Sequence, residues 1–160
     1  MRRIIVLTAI SLFLLSSSAE AVITITASGG WTTQVVSATN LIAGAGSDLN
    51  STYQSTAGIT TINIAGCKNK SDTWRVDVSR VNATWDASLS VYVRRTSDGT
   101  GTGSITGGLT YIQVTTANTA FFNGAGDRTT VGVQYQVTGV SLNVPPSNNS
   151  TSVVFTIVDT

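Results

Sequence analysis

Period-two alternation runs through most of the chain, and no stretch places apolar residues at helical spacing with caps and strong helix formers. Successive strand residues point to opposite faces, so this pattern describes sheets with one dry side and one wet side. VITITA at 22–27 sets Ile23, Ile25 and Ala27 against Val22, Thr24 and Thr26. WTTQVV at 31–36, TINIAG at 61–66, TWRVDVSRV at 73–81, ASLSVYVRR at 87–95 and GLTYIQVTT at 108–116 read the same way. So do TTVGVQYQVTG at 129–139, VSLNV at 140–144 and SVVFTIVDT at 152–160. The inward residues expected from this phase include Ile62, Ile64, Trp74, Val76, Val78, Leu89, Val91 and Val93, and then Val131, Val133, Tyr135 and Val137.

Turn chemistry separates the runs. SDGTGTGS at 97–104, FNGAGDR at 122–128 and VPPSNNS at 144–150 read as connections. The runs at 87–95 and 108–116 read as a hairpin across the first of these. The segment 40–58 leaves a strand and a surface loop equally open. Short strands at this spacing, with no helix between them, predict an all-β fold of one domain over 31–160. The expected architecture is an immunoglobulin-like antiparallel β-sandwich.

The start of the chain reads as a secretory signal peptide over 1–21. Arg2 and Arg3 supply the positive end, Ile4 to Leu15 the apolar run, and Ala19-Glu20-Ala21 the small residues of a cleavage site. The apolar run is well short of the roughly 20 residues needed to span a bilayer. A secreted protein is expected, with no membrane span in the mature chain.

Chemistry is sparse. There is no His, and charged residues make up 11% of the chain. Beyond the signal, Lys68, Lys70, Arg75, Arg80, Arg94, Arg95 and Arg128 balance Asp48, Asp72, Asp77, Asp86, Asp98, Asp127 and Asp159. No net field draws the chain to nucleic acid or an anionic membrane. Without His, and with Glu only in the signal, the chain lacks a triad, an imidazole metal site and a paired-glutamate site. The glycine-rich GAGDR and AGAGSD open no helix and are not phosphate loops. An enzyme is not expected, nor a cofactor. A calcium site from Asp48, Asn50 and Asp98 has no ligand spacing behind it.

The remaining candidates each have a structural alternative. Cys67 ends the apolar run INIAGC and reads as a buried small residue rather than a reactive thiol. Trp74 shares a face with Val76 and Val78 and reads as core. Trp31 and Trp85 are open to a sugar-stacking reading, Trp85 being the better candidate for exposure, although core is favoured for all three. Arg94 and Arg95 point to opposite faces and read as a solvated strand end. The sequons at Asn50 and Asn82 read as accidents of composition.

What these readings leave over is the layout at the start of the mature chain: a short strand, then Ser28-Gly29-Gly30, then a fresh run of strands. Residues 22–30 form a unit of strand and glycine hinge. Such a strand can fold back as the first strand of its own sandwich. It can also add to the sheet edge of a neighbouring copy, with main-chain bonds supplying affinity and Ile23 and Ile25 filling pockets. Repeated head-to-tail contacts of that kind that do not close make a filament.

The signal followed directly by VITITA, together with VGVQYQVTGVSLNVPPSNNSTSVVFTIVDT at 131–160, resembles exported pilin or fimbrial subunits of the immunoglobulin-like, donor-strand type, such as the spore-coat-U-like and archaic chaperone–usher pilins. The resemblance covers the first ten or so mature residues and the last thirty. The chain differs from the best-known members in having one Cys, no penultimate Tyr and a short N-terminal extension. The resemblance implies a cell-surface filament subunit whose sandwich is completed by a neighbour's N-terminal strand. Its donor strand would be Val22, Ile23, Thr24, Ile25, Thr26 and Ala27. Its acceptor groove would be lined by Val153, Phe155 and Ile157. Its partners would be identical subunits, with a periplasmic chaperone and an outer-membrane assembly protein. The alternative carried by the residues alone is a monomeric secreted β-sandwich module for carbohydrate or a cell-surface partner.

Overall fold

The computed structural model describes residues 22–32, 38–144 and 148–160. The signal peptide expected over 1–21 lies outside these residues, as do residues 33–36 of the strand expected over 31–36.

Within them the chain is an all-β sandwich of two antiparallel sheets. The larger sheet contains β1 (Thr24–Gly29), β2 (Thr52–Gln54), β3 (Thr60–Ala65), β5 (Ser90–Arg95), β6 (Thr100–Gly101), β8 (Ile112–Val114) and β10 (Arg128–Thr138). The smaller contains β4 (Thr73–Thr84), β7 (Ile105–Gly107), β9 (Thr119–Ala125) and β11 (Ser150–Asp159). Across the larger sheet the order runs β1-β3-β10-β5-β8, and across the smaller β11-β4-β9-β7.

The expected inward faces are the ones that pack. Ile62, Ile64, Trp74, Val76, Val78, Leu89, Val91, Val93, Val131, Val133, Tyr135 and Val137 all lie in the buried core. Burying side chains of this size contributes about 1.5–3 kcal/mol each, so this layer dominates the favourable energy of the fold.

Three irregularities adjust the ladders, one of them between β11 and β4 at Ser150 and Thr151. In β9, Val76 pairs with Phe122 while Asp77 pairs with Ala120, which leaves Phe121 as the extra residue. Consecutive strand residues normally face opposite ways, yet here Phe121 and Phe122 are both buried. Their rings meet edge to face at 4.9 Å, and Phe121 stacks on Phe155 at 6.1 Å. In β10, Arg128 pairs with Ile64 and Val131 with Ile62, so β10 has one residue more than β3 between them. Thr130 takes up the difference at φ 56, a conformation that costs a β-branched residue roughly 1–2 kcal/mol. The bulge is held by Thr130 N–H donating to Asn63 Oδ1 at 2.8 Å.

The structure departs from the sequence expectations in several places. The runs at 87–95 and 108–116 do pair, through β5 and β8, but they are not joined by a plain hairpin loop. The chain between them forms β6 against β10 and β7 against β9, visiting both sheets on the way. FNGAGDR is not a free connection: Phe122 to Ala125 belong to β9, and the turn is Gly126-Asp127. Residues 140–144 form turns rather than a strand, because Asp48 holds them by accepting from Leu142 N–H and Ser141 Oγ. The ambiguous 40–58 segment is entered from a 3-10 turn at Ala38–Asn40 and contains an isolated bridge between Leu41 and Leu49, then β2.

Trp74 illustrates how tightly this core is built. Its indole N–H donates to Gly126 O at 2.9 Å, and its ring meets Phe122 edge to face. Gly124 sits directly opposite on β9, and a Cβ there would lie 2.5 Å from Trp74 Cζ2. Gly124→Ala therefore forces the ring or the strand to move. The expected result is a loss of about 1–3 kcal/mol, read as a lower urea midpoint with an unchanged slope.

Candidate functional site

β1 and β11 are the outermost strands of their respective sheets, and they lie beside one another on the same flank of the sandwich. The residues singled out from sequence as donor and acceptor are thus brought together within one chain.

β1 is paired in register with β3 from Thr24↔Ala65 to Gly29↔Thr60. The strand begins two residues later than the VITITA stretch, with Val22 and Ile23 preceding it. Ile23 and Ile25 are half-buried and pack against the core, whereas Thr24, Thr26 and Ala27 are exposed. Ala27 stands opposite the fully buried Ile62, but its methyl is too short to reach the core. Val22 is 75% exposed. Polar bonds along the strand are few: Thr24 Oγ1 donates to Ala65 O at 3.2 Å, and Ser28 and Thr61 share a hydroxyl bond at 3.0 Å.

The two glycines after β1 differ in role. Gly29 is in the ladder, at φ 97, and any Cβ there would run into Ile59 O. Gly30 has nothing near the position of a Cβ. Gly29 therefore closes the strand against β3, and Gly30 is the freer joint.

β11 pairs with β4 along nearly its whole length. Val153, Phe155 and Ile157 face inward, with Phe155 and Ile157 opposite the fully buried Val78 and Val76. Ser152, Val154 and Thr156 face out. The strand carries no charge before Asp159 and no proline. A long, uncharged, alternating edge is the kind that readily accepts another strand, because its outer row of main-chain groups lacks the usual protection.

Other candidates resolve differently. Trp74 is core, as expected. Trp85 is not an exposed platform: it packs against the core, its indole N–H donates to Leu89 O at 2.9 Å, and the Arg80 guanidinium lies 5.4 Å from its ring centre. Trp31 also packs against the core. Arg95 is not solvated but 3% exposed. The returning connection supplies its partners, Gly107 O for Nε at 2.9 Å and the Asp98 carboxylate for Nη1. Burial and the neighbouring Arg128 lower its pKa. Asp48 and Asp98 are engaged in separate places, so the calcium reading gains no support, and no group of three metal-ligating acids, His or Cys occurs among the described residues.

No protein-family model matches the chain, and neither does any curated protein or solved structure.

Cys67 is half-buried beside the core. Burial pushes its thiol up to about 11, with Asp127 and Asp72 adding to the shift. Since only the thiolate is nucleophilic, Cys67 is expected to react with iodoacetamide at pH 8 about a hundredfold more slowly than an exposed cysteine. Unfolding in urea should remove the difference, as followed by mass spectrometry.

Proposed function

We propose that this chain is the structural subunit of an extracellular filament, in which the place of β1 in each copy is taken by the β1 of the next. The observation that carries the reading is the nature of the β1 contact. It is a complete six-residue ladder, yet it is peripheral, with two half-buried isoleucines as its apolar anchors.

The energies suit exchange. Two half-buried isoleucines contribute about 2–3 kcal/mol, and each ladder bond about 0.5–1.5 kcal/mol. A neighbour's β1 in the same register recovers all of this. Leaving the place empty exposes the inward faces of β3 and β11 and is unfavourable, so the strand is always occupied, by one chain or another. The joint at Gly30 lets β1 leave without disturbing β3. Whether the strand stays at home is then decided by the effective concentration of the chain's own β1 against that of its neighbours.

The in-register pairing of β1 with its own β3 also favours a second reading, a monomeric secreted module that keeps its first strand. The two differ in one variant. Ile25→Asp places a charge against the core at the β1 anchor. In a filament subunit it is expected to abolish polymers while secretion continues. The check is electron microscopy of material sheared from producing cells, with unboiled and boiled samples on a denaturing gel. A ladder that collapses on boiling for the parent chain, and is absent for the variant, supports exchange. A single monomer band for the parent chain in both lanes, with no filaments, assigns β1 to its own chain.

A further inference from the structure

The outer face of the larger sheet, at the end away from β1, is built unlike the rest of the surface. Cross-strand partners share a face, and the registers align Gln54, Gln136, Tyr92 and Gln113 in one row across β2, β10, β5 and β8. Neighbouring strands lie roughly 4.8 Å apart, so the row is an evenly spaced line of amides and one phenol. Beside it stands Arg94. Its Nε donates to Gln134 Oε1 at 2.8 Å, and its guanidinium lies 5.0 Å from the Tyr111 ring centre.

Arg94 is fixed but not neutralised. Among the described residues it has no carboxylate partner, whereas Arg75 has Asp77 and Arg95 has Asp98. The row itself contains no acid. One bond to Nε and one ring hold the fork in place and leave its Nη donors directed elsewhere. A planar fork held in this way is preorganised for bidentate contact with a carboxylate.

We propose that this face binds a carboxylated polysaccharide, with Arg94 taking the carboxylate, the ring of Tyr92 lying against a sugar face, and Gln113, Gln136 and Gln54 bonding hydroxyls. Each amide offers both a donor and an acceptor, which matches hydroxyl groups that do the same. The charge complement identifies the class of ligand: a lone cation on an acid-free face suits an anionic chain rather than a neutral one. A sheet face, unlike a sheet edge, offers no free main-chain groups, so it does not suit an extended peptide. The face is the same whether β1 is kept or exchanged, because β1 pairs with β3 and with none of the four strands that carry the row.

The test uses the mature chain, polygalacturonate, and the same polymer with its carboxyls reduced to alcohols, read by isothermal titration calorimetry at low salt. Binding to polygalacturonate with at least a tenfold loss on carboxyl reduction is expected. Arg94→Gln should lose at least tenfold, Arg94→Lys less, and Gln113→Ala severalfold. Gln113 is exposed, and its side-chain bond among the described residues is to Ser90 Oγ, at 3.2 Å, so Gln113→Ala still tests the face if Arg94→Gln unfolds. Thermal melting of each variant checks folding. The proposal is overturned by equal affinity for the reduced polymer, by binding that survives both Arg94→Gln and Gln113→Ala, or by no binding at all. Equal binding of poly-glutamate would give the face to acidic proteins and overturn it too.

Discussion

β10 is the strand on which the larger sheet is assembled. One of its edges is taken first by β3 and then by β2, and the other first by β6 and then by β5. Residues Val131 to Tyr135 are buried on both faces. Inward lie Val131, Val133 and Tyr135; outward, Gln134 is covered because its amide donates to Ser55 O at 2.6 Å. The Tyr135 hydroxyl, deep in the core, donates to Thr60 Oγ1 at 3.0 Å. A buried polar group without a partner is costly, so this bond sets where β3 lies relative to β10. The position of β3 in turn sets where β1 docks. The placement of the flank that carries β1 and β11 therefore traces back to contacts at the centre of the sheet.

The two ends of the molecule are protected unequally. On the side of β8 and β7 the border strands are only three residues long, and short edges offer little to a passing strand. On the side of β1 and β11 the borders are longer, nearly free of charge and alternating. Self-association is thus guarded against at one flank and left open at the other. The flank that carries β1 and β11 lies apart from the amide- and tyrosine-bearing face of the larger sheet, so the two surfaces can be occupied together.

The fold was legible where a single physical rule acts over many residues. Two-residue alternation through 131–137 identified Val131, Val133, Tyr135 and Val137 because each faces the same core for the whole length of one strand. It offered no strand at β9, where a bulge breaks the period and buries both Phe121 and Phe122, and the second half of that strand read as a connection. It failed again where burial depends on a segment returning from elsewhere. Arg95 ends a strand and looks solvated until the 96–111 connection folds back over it. Trp85, for which core is favoured, does pack against the core, with its indole N–H donating to Leu89 O and Arg80 over its ring. At the flank, the isoleucines of β1 and the inward triplet of β11 could be named from their phase, but their adjacency could not. The Gln–Tyr row was invisible because it is a product of register between four strands.

The first and last strands of this sandwich meet, and that has a kinetic meaning. Most contacts here join residues distant in the chain, a topology that folds slowly because loops must close before contacts repay them. The flank is the extreme case, since Ile25 waits for β3, and the groove it fills has no second wall until Phe155 has been delivered. A chain emerging from its amino end therefore spends its whole synthesis with this seam open. During that interval β1 is an apolar tail beside an unfinished core, and its seam closes only when the last strand arrives.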